Sequence, residues 1–155
     1  MTADVITLGW RERVALPRLG IERLRAKLDT GARSSALHVD SLDVFERDGV
    51  TWLRFGVGLG RSARRVAACE APALGRRAVT DSGGHRDERW FIRSRIVLAG
   101  RAFEAEIGLA DRRGMLFPLL LGRTALGGRF RVDPALSYAA VTPGHGSAVA
   151  LSFPG

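Results

Sequence analysis

Short strand-like segments recur about every 8 to 12 residues along this chain, separated by turns rich in glycine, and no long helical period appears. Leu19-Gly20, Asp48-Gly49, Asp81-Ser82-Gly83-Gly84, Ala99-Gly100 and Gly127-Gly128 are the clearest of them. Between the turns, apolar residues alternate with polar ones or form short runs. Strands are therefore expected over residues 5–8, 13–16, 21–28, 37–45, 50–57, 66–69, 76–80, 90–98, 102–109, 117–121, 130–132 and 137–141. The 37–45 and 50–57 segments flank Asp48-Gly49 and read as a hairpin. Residues 123–126 suit one short helix, stopped by Gly127-Gly128. The pattern is that of an all-β barrel or sandwich. From Thr142 onward the sequence is mostly Pro, Gly, Ser and Ala, so residues 142–155 are expected to form a disordered tail behind a domain of residues 1–141.

The 155 residues are 46% hydrophobic and 26% charged, enough apolar material for one core and too little length for a bilobed enzyme. The net charge is +8, and Lys27 is the single lysine among the 24 basic residues. The arginines are scattered from Arg11 to Arg131 and aromatics make up only 7%, so the charge does not argue for nucleic acid. Cys69 is alone, which excludes an intrachain disulfide and fits a reducing compartment. The first ten residues lack the features of a signal peptide, and the apolar run over 115–121 is too short to span a bilayer. A soluble, cytoplasmic protein is expected.

Two segments carry chemistry. The first is Ala26-Lys27-Leu28-Asp29-Thr30-Gly31-Ala32, a carboxylate at the end of an apolar strand, followed by a hydroxyl and a glycine. Asp-Thr-Gly alone occurs by chance in roughly a few per cent of chains this long, and taken alone it is an ordinary turn. The second is Phe117-Pro118-Leu119-Leu120-Leu121-Gly122-Arg123, a buried apolar strand ending in Gly-Arg. Other signals are weaker. Gly56-Val57-Gly58-Leu59-Gly60 lacks the final spacing of a dinucleotide loop and reads as a flexible strand end. His38, Asp40, Cys69, His85 and His145 are potential metal ligands, but no HExxH and no tight ligand pair exists. His38 and Asp40 lie two apart, as if on one face of a strand. No GxxxxGK[ST] is present to bind ATP. No cofactor and no metal is expected.

In this order, the segments resemble the retropepsin-like aspartic peptidases, whose signature is an Asp-Thr-Gly-Ala loop, a glycine-bearing flap hairpin, and two apolar residues before Gly-Arg. The match is closest to the bacterial subfamily labelled ATP-dependent zinc proteases, often found with ATP-grasp amino-acid ligases. Gly9-Trp10-Arg11-Glu12 and Val132-Asp133-Pro134 are also similar to its blocks. The resemblance implies a closed β-barrel with at most a short helix after the second motif. It implies a homodimer in which Asp29 of each subunit forms a catalytic dyad, because the chain has one Asp-Thr-Gly. Thr30, Gly31 and Ala32 would complete the active-site loop. Thr30 would bond across the interface, and Gly31 would allow close approach of the two loops. Ala32 offers no hydroxyl to the charged carboxylate, which implies activity nearer neutral pH. Leu120, Leu121, Gly122 and Arg123 would support the loop, with Gly83 and Gly84 at the tip of the flap. The implied substrate is a peptide or an acidic amino-acid tail, with functional association with an ATP-grasp ligase and no membrane partner. A binding module without turnover, a basic nucleic-acid-binding β domain and a zinc hydrolase are the competing readings.

Overall fold

The computed structural model describes residues 4–60, 65–80, 83–111 and 116–140. The expected tail with His145, the turn residues Asp81 and Ser82, and residues 61–64 lie outside the described residues. Strands dominate, as the turn spacing implies. They are β1 (Ile6–Gly9), β2 (Arg11–Leu16), β3 (Ile21–Leu28), β4 (Ser35–His38), β5 (Ser41–Arg47), β6 (Val50–Gly58), β7 (Val66–Pro72), β8 (Gly75–Thr80), β9 (Arg86–Leu98), β10 (Arg101–Ala110), β11 (Leu119–Leu121) and β12 (Phe130–Asp133). A 3-10 turn spans Pro17–Leu19, and a single helical turn, α1, spans Arg123–Leu126.

The main sheet runs β10-β4-β11-β3-β2-β9-β8, and β10 also pairs with β9. That second pairing closes six strands into a barrel, with β8 attached outside the ring on β9. Alternation in β2 and β3 points Val14, Leu16, Ile21, Leu24, Ala26 and Leu28 inward, where all are buried. They meet Ile92, Ile96 and Leu98 of β9 and Ile107 of β10 in one core. The expected all-β closed barrel with one short helix is therefore what forms.

The long stretch between β4 and β8 builds a separate sheet in the order β5-β6-β7. Its hairpin turns at Asp48 and Gly49, both at positive φ (53° and 77°), as a two-residue turn between twisted strands requires. Leu53, Phe55, Val57 and Cys69 face the barrel core. Burial pushes the Cys69 thiol up to about 11, so it is a core residue and a poor nucleophile. On the outer face Arg47 and Arg54 stack over Phe45 and bond Glu70.

Three expectations are corrected. The single strand over 37–45 is two strands. Val39 N–H donates to Ala110 O, whereas Asp40 N–H donates to Gly56 O, so the chain leaves the barrel for the second sheet between them. Gly56-Val57-Gly58 is no flexible loop but the end of β6, paired with Val66–Ala68. Residues 137–140 form no strand; Tyr138 sits at φ 52°, its N–H donates to Arg11 O, and the next two N–H groups go to a side chain rather than to a ladder.

Candidate active site

β3 ends at Leu28, and the chain then turns through Asp29, Thr30 and Gly31 toward β4. The turn is fixed from within and from below. Gly31 N–H donates to the Asp29 carboxylate at 2.9 Å, and Ala32 N–H to Asp29 O at 3.2 Å. This is the local turn that Asp favours through its short acceptor side chain. Asp29 N–H donates to Leu121 O at 2.8 Å, because β11 runs parallel to β3 with Leu121 opposite Leu28. Leu28 N–H donates to Trp10 O on the other flank.

The Gly-Arg segment continues the support. Gly122 N–H bonds the buried Ser35 hydroxyl at 3.1 Å. Arg123 N–H donates to Ala32 O at 2.8 Å, and its guanidinium reaches Thr30 O at 3.1 Å. Thr124 bonds Arg33 O through both its N–H and its hydroxyl. Thus nearly every carbonyl of the loop has a named donor. A Cβ on Gly122 would stand 2.6–2.8 Å from the carbonyl oxygens of Ser34, Ala32 and Arg33, so only glycine fits. Leu121 is fully buried and Leu120 half-buried. Thr30 and Gly31 are exposed at the surface of the loop and Asp29 is half-buried.

Gly83 and Gly84 lie in the turn between β8 and β9, with Gly84 at φ 82°. β9 pairs with β10 only from Phe91 onward, so Arg86–Trp90 and β8 project past the barrel as a two-stranded arm.

Sequence reasoning missed the role of Glu12. Its side chain is 1% exposed, and its carboxylate accepts from the N–H groups of Gly9, Ala139 and Ala140 at 2.7, 2.9 and 3.0 Å. Glu12 pairs across to Ala26 on β3, three residues before Asp29. It therefore ties the 137–140 segment to the strand pair that carries the loop. Arg11 adds a bond to Ser137 and stacks on Tyr138. A Cβ on Gly9 would stand 2.4 Å from Leu136 O. The Gly9-Trp10-Arg11-Glu12 block is thus one half of a clamp, and the segment after Asp133 is the other. Glu12→Ala would leave the buried Gly9 N–H and the part-buried Ala139 and Ala140 N–H groups without this acceptor and is expected to cost about 2 kcal/mol. Urea unfolding reads the loss, and hydrogen exchange at Ala139 and Ala140 should accelerate with it. Unchanged protection there would show that the clamp does not depend on Glu12.

The potential metal ligands do not converge. His38 ends β4, while Asp40 lies in the bend before β5, so they do not share a strand face as expected, although His38 Nε2 lies 3.4 Å from Asp40 Oδ1. Among the described residues no group of three or more His, Cys, Asp or Glu is placed to hold a metal ion. Several arginines pair with glutamate, such as Arg18–Glu104, Arg76–Glu88 and Arg77–Glu106, which leaves the net charge of +8 unchanged. No helix among the described residues is long and apolar enough to cross a membrane.

A closed β-barrel whose Asp-Thr-Gly loop rests on a parallel strand ending in Gly-Arg is the architecture of the retropepsin-like aspartic peptidases. The chain belongs to the RimB-like family, described as retropepsin-like aspartic endopeptidase RimB, whose family model matches residues 7–143. Its curated relatives include two proteins named probable alpha-L-glutamate ligase. One, from Desulfotalea psychrophila, is 36% identical over 85% of this chain and 29% of its own length. The other, from Shewanella pealeana, is 34% identical over 89% of this chain and 30% of its own. The chain spans about three-tenths of the length of these relatives. A crystal structure of a protein of unknown function (DUF785) from Legionella pneumophila superposes with a TM-score of 0.74 at 30% identity, covering 88% of this chain and 99% of that one.

Proposed function

We propose that the chain is a homodimeric aspartic peptidase that hydrolyses an acidic amino-acid tail, with Asp29 of each subunit forming the dyad. The observation that carries this reading is the loop itself. The Asp29 carboxylate is held by Gly31 N–H, the loop rests on Leu121 and Arg123, and its Thr30-Gly31 tip stays exposed for a second copy. A two-fold axis through such tips brings like carboxylates together without further design.

Two carboxylates at close range share one proton. The charged one takes a proton from water as the water oxygen bonds to the amide carbon. The protonated one gives its proton to the carbonyl oxygen. When the resulting tetrahedral centre collapses, the C–N bond breaks, the nitrogen leaves with a proton returned from the dyad, and one hydroxyl of the centre gives its proton to the charged carboxylate, so the pair again shares one proton. The pair acts and titrates as a unit. Gly83 and Gly84 would lie at the flap that closes over the substrate and excludes water. Thr30, Gly31 and Ala32 form the loop, and Leu120, Leu121, Gly122 and Arg123 brace it.

The acidic tail follows from two observations. Arg33 and Arg123 are exposed beside the loop, on a chain of net charge +8. The matched relatives are named for glutamate ligation, and action alongside an ATP-grasp ligase fits a hydrolase that trims what a ligase adds.

Subunit mixing tests the shared dyad. Wild-type protein and Asp29→Asn protein, unfolded and refolded together in varying ratio, would give activity that falls as the square of the wild-type fraction if each site needs two Asp29 side chains. A linear fall would mean that each subunit works alone, and would overturn the dimeric dyad.

A further inference from the structure

The outer face of the β2-β3 pair carries a charge pattern that strand pairing disfavours. Arg11 stands directly opposite Lys27, and Arg13 directly opposite Arg25. Their neighbours Glu12, Val14, Leu24 and Ala26 point the other way and are buried, so the four cations share one face. Like charges directly opposite each other destabilise a sheet. β9 and β10 show the ordinary arrangement, with Glu104 opposite Arg95 and Glu106 opposite Arg93. Where β8 and β9 set Arg77 opposite Arg89, bonds to Glu106 and Asp87 relieve the repulsion. On β2-β3 nothing does so: among the described residues no carboxylate bonds or ion-pairs with any of the four.

The four are held in place without being neutralised. Arg11 bonds the Ser137 hydroxyl through Nε, and Arg25 reaches Leu116 O at 3.3 Å. The Tyr138 ring lies 4.0 Å from the Arg13 guanidinium and 4.9 Å from that of Arg11, which also lies 4.8 Å from Trp10. A guanidinium stacked on a ring keeps in-plane donors for a carboxylate. Arg13 and Lys27 are exposed. Along each strand the two cations are about 6.7 Å apart, and the strands are about 5 Å apart. An extended peptide repeats its same-face side chains at that same interval of about 6.7 Å. The stripe ends beside the loop, because Asp29 follows Lys27 by two residues.

We propose that the outer face of β2-β3 is an exosite for an acidic peptide, which lies extended with alternate carboxylates on Lys27 with Arg11 and on Arg25 with Arg13. The inference rests on the peptidase reading and deepens it, by naming the residues that hold the substrate beyond the reacting bond. The position of the stripe, beside Asp29, favours a peptide over nucleic acid. The occupant also accounts for the like-charge pairs, since its carboxylates would supply the anions that the sheet lacks.

Fluorescence anisotropy of labelled octaglutamate on full-length Asp29→Asn protein reads binding without turnover. Saturable binding is expected at low ionic strength, weakening as salt rises. Adding Arg13→Gln with Lys27→Gln should weaken it about tenfold, the loss of two charge pairs. Lys27→Gln alone removes a like-charge contact and no bond, so it should raise the melting temperature while weakening binding. Arg47→Gln with Arg54→Gln removes the same net charge from the other sheet and should change binding by less than about twofold. An octapeptide of alternating Glu and Gln should bind about threefold more tightly than one repeating Glu-Glu-Gln-Gln, whose equal number of carboxylates are never two residues apart. With Asp29 intact, Arg13→Gln should raise KM for an oligoglutamate peptide about threefold and leave kcat unchanged. No saturable binding, equal binding by the Arg13 and Lys27 variants, equal binding of the two octapeptides, or an oligodeoxynucleotide that binds as tightly with the same dependence on Arg13 and Lys27 would overturn the exosite. Stripe-dependent binding in a protein that hydrolyses no oligoglutamate peptide would keep the exosite and overturn the peptidase reading. Hydrolysis with a KM indifferent to Arg13 would do the reverse.

Discussion

Asp29→Asn is expected to abolish the proposed hydrolysis of a peptide carrying an oligoglutamate tail, by at least about 10³-fold, while the protein keeps its melting temperature. The size of the effect follows from the chemistry. A neutral amide can neither take a proton from water nor share one with its symmetry mate, and positioned proton transfer contributes about 10²–10⁴-fold to such reactions. Stability should survive because the substitution keeps the shape of the loop. The amide oxygen of Asn can still accept from Gly31 N–H, as the Asp29 carboxylate does at 2.9 Å. The backbone anchors, Asp29 N–H to Leu121 O and Ala32 N–H to Asp29 O, do not involve the side chain. A steady-state assay paired with thermal unfolding reads both halves. Full activity in purified Asp29→Asn protein would sink the peptidase assignment, whatever the state of the fold.

Gly122→Ala is expected to be, with Gly9→Ala, among the most damaging single methyl groups that the described residues could receive. Its Cβ would meet three carbonyl oxygens of the Ala32–Ser34 backbone at 2.6–2.8 Å, and backbone cannot swing aside as a side chain can. Overpacking of this kind costs about 3 kcal/mol, a large share of the stability of a domain this size. The corresponding fall in melting temperature is roughly 10 °C. Any protein that does fold would do so with the loop pushed off its Ser35 and Arg123 contacts, so activity should fall further than stability alone explains. Gly31→Ala makes the contrast. Its Cβ would meet only the Asp29 carboxylate, at 3.2 Å, so the isolated subunit should tolerate it far better. Equal melting temperatures for wild type and Gly122→Ala would refute this account of the glycine.

The loop and its support were legible because both are short, local patterns. An apolar strand ending in Asp-Thr-Gly and another ending in Gly-Arg can be read from a few consecutive residues, and the structure joins them through Asp29, Thr30, Leu121 and Arg123. What escaped was everything decided by distant partners. Residues 37–45 alternate well enough for one strand; the break at Val39-Asp40 exists only because Ala110 and Gly56 claim successive amides for different sheets. Residues 137–140 look like a strand, but Glu12 draws their amides onto one carboxylate from 127 and 128 residues away. No pattern near Glu12 announces that. The turn spacing showed an all-β barrel or sandwich, and the resemblance implied the closed barrel, whereas the three-stranded sheet beside it was visible only as extra length.

The parallel pairing of β3 with β11 has a consequence for the order of events in time. Asp29 lies near the beginning of the chain, yet the carbonyl and guanidinium that hold its loop belong to Leu121 and Arg123, the latter 93 residues beyond its partner Thr30. A contact that spans so much sequence forms late, after the loop-closure entropy of the intervening chain has been overcome. During synthesis the Asp-Thr-Gly segment therefore emerges from the ribosome with only its own turn bonds and the neighbouring β2 to shape it. Its support from below arrives only with β11 and α1.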